Sequence, residues 1–294
     1  MSDTFFTAAP HWRWLIIFYF FVGGLAGGAY FLGAVLEWFG RPDDRPVIRS
    51  AYRVSFWGAV VSGLLLTLDL GRPLRFWHML FQSANLPHLM FKAWSPISFG
   101  AWALLLFAVC AALSARLLRE GSVLAKLVAA VGGLLGFFLA GYTGVLLSVT
   151  NRPIWADSPW LGALFLVSGA STAAAWLGLL GPNRGAAESS LRWLSTFDAR
   201  ALVVELLLLI VFVASLGAVA RVWVSVWGAL LLVGVVGVGI VWPLIQHARP
   251  ATGAARAGLN PAVAVLIGGF LLRVVMLLAS EGIELHRGVA GLVR

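Results

Sequence analysis

The residues able to do chemistry concentrate in a few polar interruptions of an otherwise apolar chain. The longest interruption runs LDLGRPLRFWHMLFQSANLPHLMFKAWSPIS from Leu68 to Ser98 and mixes charge, aromatic rings and chain breakers. Asp69 is placed to close a helix, and Gly71 and Pro73 force a turn. Phe76, Trp77, Met79, Leu80 and Phe81 suit the membrane interface, with Arg72 and Arg75 beside them. The segment reads as an interfacial anchor with snorkelling arginines, or as a greasy entrance with polar groups at headgroup depth. In the second reading His78, Lys92 and Trp94 join Arg72 and Trp77 as candidate ligand contacts.

Two further segments reach the same face. In GYTGVLLSVTNRPIW, Tyr142 lies about two turns inside the membrane from Asn151 and Arg152, a depth at which a phenol needs a partner. That partner is a ligand oxygen or the backbone of a neighbouring helix. In FLLRVVMLLASEG, Arg273 stands about two turns from a helix end, where an isolated guanidinium costs roughly 2.5–3.5 kcal/mol on insertion scales. It needs a carboxylate or a wet cavity, and Asp69 is the nearest candidate in depth. Toward the opposite face, Glu37 ends the first helix and Glu205 lies about one turn into the sixth. Glu205 is the better proton-relay candidate because it is deeper, whereas Glu37 reads as a solvated helix end. The middle of the chain's apolar runs offers mostly Ser, Thr and Trp, so no complete proton path is legible.

Other chemistries find no support. A bis-histidine haem needs two imidazoles facing each other inside the bundle, but His11, His78, His88, His247 and His286 fall in loops or at helix ends by this reading. The single cysteine, Cys110, excludes a disulfide, a Cys-based zinc site and a protein-ligated iron–sulfur cluster. No Walker loop, dinucleotide fingerprint or nucleophile elbow occurs.

The elements that must position these residues follow from composition. The chain has 294 residues, 61% hydrophobic and 11% charged, with a mean hydropathy of +0.93. A soluble domain is about half apolar and a quarter charged, so this is an all-α integral membrane protein. Its net charge of +9 sits in short clusters between apolar runs and gives no nucleic-acid footprint. Eight runs approach the length that crosses the hydrocarbon: 14–36, 54–68, 94–115, 127–149, 160–180, 201–219, 222–244 and 262–279. One eight-helix transmembrane domain then fills 1–294, since helices satisfy their own backbone in lipid. Met1 to Pro10 lacks a basic residue and a cleavage motif, so the first run is expected to be a retained span.

Counting alternate loops places twelve Lys and Arg on one face (Arg41, Arg45, Arg49, Arg53, Arg116, Arg119, Lys126, Arg184, Arg192, Arg200, Arg249, Arg256) and eight on the other (Arg13, Arg72, Arg75, Lys92, Arg152, Arg221, Arg287, Arg294). The positive-inside rule puts both termini outside the cytoplasm. Gly24 and Gly28 are spaced for close helix approach.

At LAGGAYFLG, LDLGRPLRFWHML, KAWSPISFGAWAL, GYTGVLL, VVELLLL and IGGFLLRVV the sequence resembles the NrfD-like family of polysulfide reductase membrane subunits. The match covers nearly the whole sequence. Asp-Leu-Gly-Arg-Pro followed by Trp-Ser-Pro is its most specific combination. The resemblance implies a haem-free, quinone-binding subunit of a bacterial inner membrane. It would anchor a ferredoxin-like iron–sulfur subunit and, through it, a molybdopterin catalytic subunit. It casts Tyr142 as the quinone-contacting tyrosine and Asp69 and Arg72 as the turn motif, with Glu205 and Arg273 as the family's acid and arginine. Where some members carry a histidine before the glycine pair, the glycine register places Tyr19. A phenol titrates near 10 and is the poorer proton acceptor.

A quinone, whether menaquinone or ubiquinone, suits the residues on physical grounds. It needs a lipid-accessible slot, donors to its carbonyls and a proton exit. The aromatic loop supplies the slot, and Tyr142, Lys92 and Arg72 are donors. Two rivals remain: a secondary transporter of ions or small molecules, for which no inverted repeat is visible, and a passive membrane anchor.

Overall fold

The computed structural model describes residues 12, 14–82, 88–117, 121–248 and 259–292. The N-terminal stretch, His11 and the loop cations Arg13, Arg119, Arg249, Arg256 and Arg294 lie outside the described residues. Eight long helices account for most of the rest. They are α1 (Trp14–Phe39), α2 (Arg45–Asp69), α3 (Pro96–Ala112), α4 (Val123–Ser148), α5 (Leu161–Leu180), α6 (Glu188–Ser215), α7 (Val226–Ala248) and α8 (Pro261–Leu292). Seven are long and apolar enough to cross a membrane. α6 qualifies only together with the segment Gly217–Trp223, bent from it by 116°, so the count is seven or eight. Among the described residues the only β pairing is a single antiparallel bridge, Phe81 with Leu89.

The ends of the helices follow local chemistry. Ser95 caps α3 by accepting from the Ser98 N–H, with Pro96 at the first helical position, and Ser122 caps α4 through the Ala125 N–H. Within α7 the stretch Leu230–Val241 is wound as a π-helix, and the Trp242 N–H reaches Gly237 O. Pro243 follows at once. Its ring would strike the carbonyl four residues back in a regular helix, and the wider winding relieves that clash.

Two helices begin earlier than the apolar runs suggest. α2 starts at Arg45, not at Val54, because Arg45, Arg49 and Arg53 fall at intervals of four on one face while Ile48, Ala51, Ser55, Gly58 and Ser62 form the buried face. α6 starts at Glu188, not at Ala201. Its buried stripe of Ser190, Leu194, Asp198, Leu202, Glu205, Leu209 and Phe212 keeps helical period straight through two acids. α7 and α8 also shift, to 226–248 and 261–292, so His286 lies within a helix and not at its end.

The helices pack as two rings of four. α1 to α4 touch in sequence and α4 closes back onto α1; α5 to α8 do the same. α1 contacts α2 and α4 in its own ring and α5 and α8 in the other, and α4 also packs on α5. Glycine makes this possible. A Cβ on Gly28 would lie 2.5 Å from Gly169 O of α5, while Gly27 faces the backbone of Gly136 on α4. The end of the molecule that carries the α2–α3 connection is called the loop end below, and the opposite one the basic end.

Gly28→Ala is expected to destabilise the protein by roughly 1–3 kcal/mol through overpacking. Gly63→Ala, with nothing within 4 Å of its added Cβ, is expected to be neutral or stabilising. Reversible unfolding in mixed micelles checks the pair, and equal effects would show that the α1–α5 crossing is not the tight one.

Candidate functional site

Near the loop end, Tyr142 is buried at 7% exposure, roughly 9 Å inside the end of α4 at 1.5 Å per residue. Its hydroxyl donates to the Pro96 carbonyl at 2.6 Å, so its partner in this structure is the backbone of a neighbouring helix. Gly100 of α3 leaves room for it, since a Cβ there would strike the phenol oxygen. The Tyr142 ring stacks on Phe138 (5.2 Å), Phe138 meets Phe99 (5.3 Å) and Phe99 meets Phe91 (6.0 Å). This file of rings leads from the α2–α3 connection to the buried phenol. Tyr19 of α1 is buried. Its ring edge and Ser62 Oγ lie 3.4 and 3.5 Å from where Gly23 would carry a Cβ. Ser62 Oγ is buried without a hydrogen-bond partner, as is Thr143 Oγ1 next to Tyr142.

The remaining loop residues stand outside this cluster. α2 ends at Asp69 as the turn motif requires, and Asp69, Arg72, Lys92 and Trp94 are exposed. Trp77 and His78 are half-buried, with ring centres 3.9 Å apart.

Arg273 does not meet Asp69. It is fully buried, and α8 runs on to Leu292, so it sits deep in the bundle and not near a helix end. Nη1 donates to Ser168 Oγ (2.5 Å) and Gly269 O (2.8 Å), and Nη2 to Phe165 O (3.2 Å). The guanidinium carbon lies 5.0 Å from the Phe165 ring centre, and Nη2 is 3.4 Å from where Gly24 would carry a Cβ. Glu205 of α6 is the buried acidic group close enough for its charge to act on Arg273. Because α6 starts at Glu188, Glu205 lies roughly 26 Å from that end and 15 Å from the other. It is a mid-bundle group, not one near the basic face.

From this cluster polar groups step toward the basic end. Ser171 lies one turn from Ser168 along α5, and its hydroxyl donates to Asp198 Oδ1 at 2.7 Å. His247 Nε2 is 3.1 Å from Asp198 Oδ2, and its Nδ1 is 2.8 Å from Ser195 Oγ. Asp198, Ser195 and His247 line a cavity of about 500 Å³ together with Asn260. Sequence reasoning missed Ser168, Ser171, Asp198 and His247. The seven-residue spacing of Asp198 and Glu205 on one helical stripe was the available signal.

Glu37 is also not solvated. It is 6% exposed, with both oxygens 3.0 Å from Arg45 Nη1 and the Gly121 N–H donating at 3.1 Å. It locks the ends of α1, α2 and α4 together and stands apart from the Glu205 cluster. Arg152, read from sequence as a loop charge, is buried with its guanidinium 5.3 Å from the Trp155 ring centre. Trp155 Nε1 donates to Met276 O (2.6 Å), and Ile154 between them holds φ = 73°, a region β-branched residues rarely adopt. Three cavities of about 500, 240 and 550 Å³ are described, and none has Asp69, Tyr142 or Arg273 in its wall.

A polytopic helical membrane protein with an aromatic approach at one end and a buried charge cluster within the second ring is the class these features define. The family described as Polysulphide reductase, NrfD matches residues 4–283, and the protein belongs to that family. It is 27% identical to a polysulfide reductase polypeptide of Wolinella succinogenes, over 92% of this sequence and 94% of that one. It is likewise 27% identical to protein NrfD of Escherichia coli (90% and 92% covered). A shorter likeness, 29% identical over 80 residues, joins it to a selenate reductase subunit of Mesobacillus selenatarsenatis, covering 27% of this sequence and 19% of that one.

Removing one member of a buried ion cluster strands the other. Arg273→Met alone is expected to cost about 3–5 kcal/mol, and Arg273→Met with Glu205→Gln less than the sum of the single changes. A double-mutant cycle on unfolding reads this; additivity within about 0.5 kcal/mol would mean the two groups do not interact.

Proposed function

We propose that this protein is the quinone-reactive membrane subunit of a multi-subunit oxidoreductase. It passes electrons between the quinone pool and a docked ferredoxin-like iron–sulfur subunit of a molybdopterin enzyme in a bacterial inner membrane. The observation that carries this reading is the file of rings ending at Tyr142, flanked by Tyr19 and by the unpartnered Ser62 hydroxyl. The near full-length likeness to the Wolinella succinogenes polysulfide reductase polypeptide supports it.

A bound menaquinone or ubiquinone would supply two-electron, two-proton redox chemistry in lipid-soluble form. The residues fit such a group: buried hydroxyls without an acceptor suit a ligand carbonyl, and a phenol already bonded only to a carbonyl can turn its O–H to another. Tyr142 and Ser62 orient the ring, Phe99 and Phe138 exclude water, and Trp77, His78 and Trp94 flank the approach. Exposed Asp69 exchanges protons with water, and with Arg72 and Lys92 it meets the partner subunit at the loop end. The excess of basic residues at the opposite end supports a loop end, and both termini, outside the cytoplasm.

In the assembled complex, Tyr142→Phe and Asp69→Asn are expected to lower quinone-coupled turnover about tenfold or more, the scale of a lost acid–base group, while dye-linked activity of the catalytic subunit persists. Unchanged quinone turnover in both variants overturns the site assignment. A passive anchor predicts that quinone analogues neither bind nor inhibit.

The line of groups from His247 through Asp198 to Glu205 favours proton transfer from the basic end as a second activity. Asp198→Asn is expected to abolish proton uptake from that side in proteoliposomes while leaving the unfolding midpoint near wild type. Undiminished uptake removes the residue from any path, and ion flux without a redox partner would favour the transporter reading instead.

A further inference from the structure

Where the two rings part above α1, an open cleft runs toward the basic end. α2 forms one wall, α5 and α8 the other, and Phe21, Val22 and Leu25 of α1 the floor; its volume is about 550 Å³. Trp57 and Val61 on one wall and Trp176 on the other are between 37% and 57% exposed, so on a membrane protein this cleft faces lipid. Arg53 and Arg184 reach its basic end from opposite rings, and no lining residue is acidic.

Arg53 lies roughly 12 Å along α2 from Arg45, inside the span and not at its tip. An arginine at such depth on a lipid-facing wall needs an anion. Two buried carboxylates of this end are engaged elsewhere. Glu37, which shares a neighbouring cavity with Arg53, is held by Arg45 and the Gly121 N–H. Asp44 accepts from Ser190 Oγ (2.5 Å) and from the Arg41 N–H (2.7 Å).

We infer that this cleft binds an anionic phospholipid, with the phosphodiester between Arg53 and Arg184 and an acyl tail along the α1 floor. Two guanidiniums lining one cleft can share a phosphate, and the apolar floor between two indoles suits a hydrocarbon tail. Inorganic phosphate shares the headgroup chemistry but has nothing to lay on the floor. A zwitterionic lipid brings its own cation against the arginines. The concentration of basic residues at this end also matches an anionic leaflet.

Native mass spectrometry of the full-length protein, titrated with phosphatidylglycerol and phosphatidylcholine, reads the preference directly. Wild type is expected to favour phosphatidylglycerol roughly 25-fold, each arginine giving a factor of about five. Arg53→Gln with Arg184→Gln is expected to bring the ratio near unity, and Arg53→Lys with Arg184→Lys to keep most of it. Equal retention of the two lipids by wild type, or a ratio untouched by the glutamine pair, overturns the proposal. So does displacement of the lipid by inorganic phosphate or by a short-tailed quinone, or its replacement by a second copy of the protein. Should the glutamine pair fail to fold, Trp57→Ser is expected to weaken phosphatidylglycerol binding without changing the ratio, and unaltered binding would count against the site.

Discussion

A guanidinium in the middle of a bilayer-spanning bundle is the constraint around which this molecule is arranged. Arg273 is buried on α8, so what it needs must come from protein groups on α8 and the neighbouring helices. Ser168 and two carbonyls supply acceptors, and the Phe165 ring supplies a face. Glu205, buried on α6, is the acidic group beside Arg273. Each provider restricts its helix. Phe165 and Ser168 fix the rotation of α5, Glu205 fixes α6, and Gly24 must remain small so that α1 can approach Nη2.

That last requirement explains the role of α1. It packs on both rings, as α4 also does through α5, and it can do so because its contact faces are backbone. Gly27 turns to α4, and Gly24 and Gly28 turn to α5. In lipid, where apolar side chains gain little by leaving one hydrocarbon for another, close backbone approach and satisfied polar groups are what hold helices together. Both operate at the same level of α1.

How much of this was legible in the sequence depends on whether a residue's partner was local. The all-helical membrane class, the close of α2 at Asp69 and the turn after it follow from composition and from breakers a few residues apart. The starts of α2 and α6 were not visible to a search for uncharged runs, because charge inside a span is tolerated when it points outward, as Arg49 and Arg53 do, or is paired, as Asp198 is with His247. Helical period survives both cases. The pairing of Arg273 was misread for a different reason. Depth along a helix can be counted from sequence, but which ring a helix joins cannot, and Asp69 and Arg273 belong to different rings. Depth alone says that the Tyr142 phenol needs a partner; that the partner is Pro96 depends on α3 lying across Gly100.

The two polar clusters, although assigned to different rings, are separated by little more than the wall of α1. Gly23 faces Tyr19 and Ser62 on one side, and the adjacent Gly24 faces Arg273 on the other. A helix with side chains is about 10 Å across and thinner where it carries only glycine. Two unit charges roughly 10 Å apart at an effective dielectric constant of about 20 interact by about 1.7 kcal/mol, more than a tenfold shift in a proton equilibrium. A change of one charge beside Tyr19 and Tyr142 would therefore be felt by Arg273 and Glu205 without any helix moving. The glycines that let α1 serve both rings also make it a poor electrostatic insulator, which is the arrangement a protein would need if electron transfer at one end were to bias proton occupancy on a path leading to the other.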